Sequence, residues 1–210
     1  MAAETLVKIC GLTSAEEAGF LNRYGADMAG TVLFFPKSKR NVEPEKAELI
    51  LAALDKKIKK CAVTVAPTAE QVGIINRMGY DYLQVHGSLD YAAYAAAELP
   101  VIKAFNVSDL DDFDRFSTLD KVAGYVFDAA EYGSGKVFDW KLLEKLPRDG
   151  RLFILAGGLD PENVSKAVRA VRPDCVDVSS GVENDSGIGK SEEKIKAFIK
   201  NAKSALYGQN

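Results

Sequence analysis

Short runs of apolar and β-branched residues alternate along this chain with longer stretches of helical periodicity. The runs are Thr5–Cys10, Asp27–Phe34, Lys60–Ala66, Asp81–His86, Pro100–Phe105, Val122–Phe127, Arg151–Ala156 and Cys175–Ser179. Their apolar character is nearly continuous, the pattern of strands covered on both faces. The stretches between them carry helix start and stop signals. Ser14-Ala-Glu-Glu17 and Thr68-Ala-Glu-Gln71 have the form of a capping box, and Ser88-Leu-Asp-Tyr91 is a weaker version. Pro44 and Pro161 stand where a first-turn proline is tolerated, and Gly25 and Gly79 where helices end.

Strict alternation of strand and helix implies a parallel sheet with right-handed crossovers. Eight such units predict an α/β fold closed as a (β/α)8 TIM barrel. No linker or low-complexity stretch divides the chain, so residues 1–210 read as one domain. The length is at the short end for such a barrel. In this architecture chemistry belongs at the C-terminal ends of the strands, which narrows the search for functional residues.

Composition adds exclusions. A formal net charge of −3 lacks the basic surplus of a nucleic-acid binder. No apolar run reaches membrane-spanning length, and the first ten residues lack the pattern of a secretory signal. Cys10, Cys61 and Cys175 are too few and too scattered for a disulfide framework, which points to the cytoplasm. With one histidine and no C-x-x-C pair, no metal site is expected.

The strand ends supply the candidates. The first run ends in Lys8-Ile-Cys10-Gly11, with Lys8 and Cys10 on one face. Cys10 reads either as a buried apolar residue or as a base whose thiolate Lys8 helps to hold. After the second run, Lys37, Lys39 and Arg40 crowd one loop; it reads as a solvated loop or as a carboxylate clamp built on Arg40. His86 ends the fourth run as a supporting hydrogen-bonding group or an acid–base residue. Asp128 follows the sixth run, as a turn cap or a catalytic carboxyl, and Gly133-Ser-Gly-Lys136 beyond it can cover a ligand. The last two runs end in Ala156-Gly157-Gly158 and Ser179-Ser180-Gly181, with Glu183 read as a surface residue just beyond. Small residues at both positions read as mere turns or as the phosphate site common to such barrels, where backbone N–H groups cradle the anion, and their joint occurrence favours the phosphate site.

Taken in order, Lys8-Ile-Cys-Gly-Leu-Thr13, Gly25-Ala-Asp27, Phe35-Pro-Lys-Ser-Lys-Arg40, Leu83-Gln-Val-His-Gly87, Gly133-Ser-Gly-Lys-Val-Phe-Asp-Trp140, Gly157-Gly-Leu-Asp-Pro-Glu-Asn-Val164 and Asp177-Val-Ser-Ser-Gly-Val-Glu183 carry a resemblance that runs nearly end to end. The chain resembles the phosphoribosylanthranilate isomerase family of tryptophan biosynthesis. The resemblance implies a cofactor-free Amadori rearrangement of a phosphorylated small molecule. Cys10 then matches the general base, Asp128 the general acid and Arg40 the group that binds the anthranilate carboxylate. Gly157, Gly158, Ser180 and Gly181 match the phosphate site, and Lys8 and His86 complete the substrate-facing set. Neither nucleic acid nor membrane is implied as partner, and the expected state is a monomer or weak homodimer.

The sequence departs from the family in three places. Val63-Thr-Val-Ala-Pro67 stands where Val-Phe-Val-Asn is frequent, the loop after the sixth run is shorter, and Asn184-Asp-Ser-Gly187 replaces a Pro-Gly. These bear on loop geometry rather than on Cys10 or Asp128. The rival readings are another phosphate-binding barrel isomerase or epimerase, and a non-catalytic phosphosugar-binding barrel. Relatives in the histidine pathway pair two aspartates, and Cys10 argues against them.

Overall fold

The computed structural model describes residues 4–106, 110, 112–128, 140–143, 146, 148–187 and 189–206. Eight strands, β1 (Leu6–Cys10), β2 (Met28–Val32), β3 (Lys59–Val65), β4 (Tyr82–His86), β5 (Val101–Asn106), β6 (Val122–Asp128), β7 (Leu152–Leu155) and β8 (Cys175–Val178), pair in sequence order, all parallel, and β8 returns to β1 to close the barrel. Each predicted run matches a strand, and β3, β5 and β6 each extend one residue beyond theirs, at Lys59, Asn106 and Asp128. The helices are α1 (Ala15–Tyr24), α2 (Pro44–Ala53), α3 (Ala69–Asn76), α4 (Tyr91–Ala96), α5 (Phe113–Ser117), α6 (Val164–Val171) and α7 (Glu192–Lys203), with short 3-10 helices at Trp140–Leu143 and Ser180–Val182.

Two apolar layers explain the continuous runs. Residues such as Val7, Ile9, Leu83 and Val85 face the helices and are fully buried. Their neighbours along each strand, among them Cys10, Met28, Cys61, Ile102 and Ile154, fill the barrel interior. A strand covered on both faces has no position left for a solvent-facing residue, so alternation disappears.

The helix ends follow local chemistry, with three differences from the sequence expectation. Thr68 and Gln71 form the full reciprocal box. Ser14 accepts from the Glu17 amide, but the Glu17 side chain does not complete that box. It turns to the Thr13 N–H at 2.5 Å and to the Lys190 N–H at 2.8 Å. α4 starts at Tyr91 on an Asp90 cap, because that carboxylate takes the Ala93 amide at 2.7 Å, and Ser88 lies outside it. Pro161 sits in the turn before α6 rather than inside its first turn. The Asp160 carboxylate captures the Glu162 and Asn163 amides and delays the helix to Val164. Gly25 closes α1 in the left-handed conformation, with φ 74°.

Candidate active site

A cavity of about 560 Å³ opens at the C-terminal end of the strands, within the roughly 300–1,000 Å³ of small-molecule sites. Its wall is assembled from separate elements: Cys10 from β1, Arg40 from the loop after β2, His86 from β4, Asp128 from β6, Gly157 and Gly158 after β7, and Asp177, Ser180 and Glu183 at and after β8. Strand order sets Cys10 and Asp128 on different walls, since β1 and β6 are separated by β8 and β7.

Cys10 is 8% exposed. Burial pushes its thiol above the ordinary range, while the Lys8 and Lys190 ammonium groups pull the other way. Lys8 does not line the cavity. It lies beneath Cys10, fully buried, with Nζ donating to Asp177 Oδ2 at 2.9 Å. Burial opposes its charge, but the Asp177 carboxylate outweighs burial and holds the lysine protonated. The register explains the meeting: Lys8 pairs with Asp177 across the β1–β8 seam. Both the Cys10 Sγ and the Lys8 Nζ stand within 3.2 Å of where a Cβ on Gly30 would be, so the bare backbone of β2 makes room for them.

Arg40 is anchored to the Glu183 carboxylate. Its Nε donates to Glu183 Oε1 at 2.6 Å, and Lys39 takes Oε2 of the same carboxylate at 2.7 Å. Burial would raise the Glu183 carboxyl, but these two hydrogen bonds hold it below its usual value. The Arg40 stem crosses Gly11, where a Cβ would meet Cδ at 2.5 Å; Gly11 also has φ 76°, so both space and backbone demand glycine.

His86 shares a 2.8 Å hydrogen bond between its Nε2 and the Gln84 Nε2. The amide donates, so this ring nitrogen accepts. Burial and the Lys8 and Lys103 cations push its pKa down to about 3, and the ring is neutral throughout the physiological range.

At β7, Gly157 and Gly158 take φ 83° and 64°, leaving no side chain between the cavity and the backbone. Asn163 Nδ2 ties the Gly158 carbonyl at 2.8 Å and fixes the turn. Ser180 lines the cavity and Gly181 does not. A Cβ on Gly181 would stand 2.0 Å from the Leu159 carbonyl oxygen, so its part is to let the β8 loop rest directly on the β7 loop. The Gly133-Ser134-Gly135-Lys136 segment, expected to cover a ligand, lies outside the described residues. Among the described residues no cluster of three or more His, Cys, Asp or Glu is arranged to hold a metal ion, and no helix is long and apolar enough to cross a membrane.

Known proteins bear directly on this arrangement. A sequence model of N-(5′-phosphoribosyl)anthranilate isomerase matches residues 7–201. The Aquifex aeolicus enzyme of that name is 38% identical over 204 residues, spanning 94% of this chain and 98% of the relative. The chain belongs to the N-(5′-phosphoribosyl)anthranilate isomerase family. The solved family structure from Thermotoga maritima superposes with a TM-score of 0.82 at 39% identity, covering 95% of this chain and 99% of that one. A family structure in complex with reduced 1-(o-carboxyphenylamino)-1-deoxyribulose 5-phosphate gives 0.81 at 39% identity, with the same coverage. One departure from the family acquires a physical meaning: Ala66 takes φ 45°, a left-handed conformation that the family's frequent asparagine tolerates better than alanine.

Sequence reasoning missed Asp177, Lys190, Gly30 and Gly11, and read Glu183 as a surface residue, whereas it is 8% exposed and meets three cations. A signal for Asp177 was available. Its charge interrupts an apolar strand, as Lys8 does in β1, and closure makes those two strands neighbours. For Lys190 there was none.

Proposed function

We propose that this protein converts N-(5′-phosphoribosyl)anthranilate to 1-(2-carboxyphenylamino)-1-deoxyribulose 5-phosphate as a single barrel domain, in tryptophan biosynthesis. The observation that carries this reading is that Cys10, Arg40, Asp128 and the Gly157–Gly158 turn, contributed by separate strand ends, line one cavity. Arg40 uses Nε for Glu183, and its terminal amino groups take the anthranilate carboxylate. The backbone at Gly157 and Gly158, with Ser180, takes the phosphate at the other end. The two anions thereby fix the ribose between base and acid.

Asp128 donates its proton to the ribose ring oxygen. The bond from that oxygen to C1′ breaks, and the anilino nitrogen lone pair forms the protonated Schiff base. The Cys10 thiolate removes the C2′ proton, and the released electron pair makes the C1′–C2′ double bond of an enolamine while nitrogen recovers its lone pair. Protonation at C1′ with loss of the C2′ hydroxyl proton gives the ketone. No external oxidant, reductant or cofactor enters the balance. His86, neutral and tied to Gln84, supports the wall rather than exchanging protons. The protein works as a monomer or a weak homodimer in the cytoplasm on a small phosphorylated substrate.

The test follows substrate fluorescence on mixing freshly prepared phosphoribosylanthranilate with purified protein. Turnover by the parent protein is expected, with Cys10→Ser and Asp128→Asn each slower by roughly 10²–10⁴-fold. Folded parent protein without turnover would sink the proposal.

A further inference from the structure

Lys190 is a buried cation that the scheme above leaves unused. Its side chain is 1% exposed and it does not line the cavity. Its Nζ donates to the Ser179 carbonyl at 2.9 Å and to Ser179 Oγ at 3.2 Å. Ser179 Oγ in turn donates to the Cys10 carbonyl at 2.9 Å. On its other side Nζ lies 3.7 Å from Glu183 Oε1, the oxygen that holds Arg40 Nε at 2.6 Å. Its own backbone N–H is fixed by the buried Glu17 carboxylate at 2.8 Å. Burying an ammonium costs several kcal/mol before its partners repay it, so a methionine filling the same space would serve packing better.

We propose that Lys190 is a positioning residue of this site: one buried ammonium that fixes the Cys10 segment through Ser179 and Arg40 through Glu183, and supplies positive field for the Cys10 thiolate. The inference takes Cys10 as base and Arg40 as carboxylate-binding group, and so rests on the proposed isomerisation. The groups bearing on Cys10 are Lys8 on its own strand, Asp177 on β8, Cys61 on β3, and Lys190. Glu183, Arg40 and Glu17 act on Lys190 in turn. Lys8 is neutralised by Asp177 at 2.9 Å, whereas the nearest carboxylate oxygen of Glu183 is 3.7 Å from Lys190 and is shared with Arg40. Lys190 therefore holds the less compensated of the two charges beside the thiol. Burial and the Arg40 cation push its pKa down to about 8, so that charge is present at neutral pH and fades just above it.

The experiment alkylates substrate-free protein with iodoacetamide across pH and quantifies the Cys10 peptide by mass spectrometry. Cys61 and Cys175 are fully buried, and peptide mapping separates them from Cys10. Lys190→Met removes charge and hydrogen bonds; Lys190→Gln keeps a donor for Ser179 but no charge. In both variants Cys10 alkylation at pH 7.5 should slow roughly tenfold and its midpoint move to higher pH. In both, kcat should fall and KM rise. A folded Lys190→Gln with the parental alkylation profile overturns the proposal, as does a folded Lys190→Met with that profile. Should neither variant fold, the parent protein decides. Loss of the Lys190 proton near pH 8 makes Cys10 reactivity climb less than tenfold per pH unit between about pH 7 and 9, and a full tenfold climb overturns the proposal. Alkylation needs no substrate, so failure here is distinct from absence of isomerase turnover in the parent protein.

Discussion

Gly30→Ala tests whether the Cys10 thiol must occupy the position seen here. Gly30 lies in β2, in register between Cys10 on β1 and Cys61 on β3. An added Cβ would stand 3.0 Å from Cys10 Sγ, 3.2 Å from Lys8 Nζ and 3.3 Å from Val63 Cγ2. Comfortable contacts of this kind need roughly 3.5–4.0 Å, so the new methyl forces movement of several tenths of an ångström. Lys8 is tied to Asp177 at 2.9 Å, and Val63 is packed inside the barrel, which leaves the short Cys10 side chain as the group that gives way. Overpacking costs about 1–3 kcal/mol, and replacing glycine within a strand returns about 0.5–1 kcal/mol. The net loss of about 1–2 kcal/mol corresponds to a melting temperature lower by roughly 2–8 °C.

Turnover should suffer more than stability. An ångström of misplacement at a reacting group costs up to about 10²-fold, so kcat is expected to fall roughly 10–100-fold, about 1.4–2.7 kcal/mol in the barrier. Arg40 and the β7 and β8 loops are untouched, and KM should change less than threefold or so. The assay is steady-state substrate fluorescence beside a thermal melt. Gly19→Ala is the control, because a Cβ there meets nothing within 4 Å on α1; it should keep parental kcat and add up to about 1 kcal/mol of stability. Gly30→Ala with parental kcat would refute both the required thiol position and the reasoning from Cβ distances.

Asp177→Asn leaves the fully buried Lys8 without its charge partner and should cost about 3–5 kcal/mol by denaturant unfolding; a loss below about 1 kcal/mol would contradict the pairing. Ala66→Gly should raise stability by about 1 kcal/mol, since alanine at φ 45° is strained, and an unchanged denaturation midpoint would count against that strain. His86 contributes an acid sensitivity. Its folded pKa is pushed down to about 3 and its unfolded value is near 6.5, so the unfolded chain binds the extra proton between those values. That stability is complete above pH 6.5 and is lost progressively as pH falls toward 3, on the order of 1–2 kcal/mol by pH 5 for this partly exposed ring. The slope should flatten in His86→Gln, and an equally steep loss in that variant would rule out His86 as its source.

The barrel was legible because two-sided burial writes each strand as an unbroken apolar run, and eight runs leave few topologies. Helix starts were less so. Ser88 and Asp90 are both good caps, and only the carboxylate's reach to the Ala93 amide chooses between them. Cys10, Arg40, His86, Asp128 and the Gly157–Gly158 turn were visible as candidates because the fold assigns chemistry to strand ends and these residues stand there. The support around them was hidden because it depends on what meets across the barrel. Lys8 needs the β1–β8 seam to find Asp177, 169 residues away. Glu183 becomes a clamp only when the β2 loop lays Arg40 against it, and Gly11 and Gly30 matter through side chains that occupy the space they vacate.

The chain's net charge of −3 is silent about its site for a related reason. Lys8, Lys39, Arg40 and Lys190 are accompanied by Asp177, Glu183 and Glu17, so the cluster adds only one positive charge to the total. Its effect lies in placement. Lys8 and Lys190 are buried behind the cavity wall without lining it, where salt and water screen them little. In the proposed reaction, a substrate carrying both a phosphate and a carboxylate brings negative charge toward Cys10 and opposes the thiolate that must form. Cations on the cavity surface would be drawn to those anions. Cations fixed behind the wall by Asp177, Ser179 and Glu183 hold their direction toward Cys10 when the site fills, which is the condition for electrostatic preorganisation. Under that proposal the burial of these lysines, costly for folding, separates binding the substrate's anions from sustaining the base.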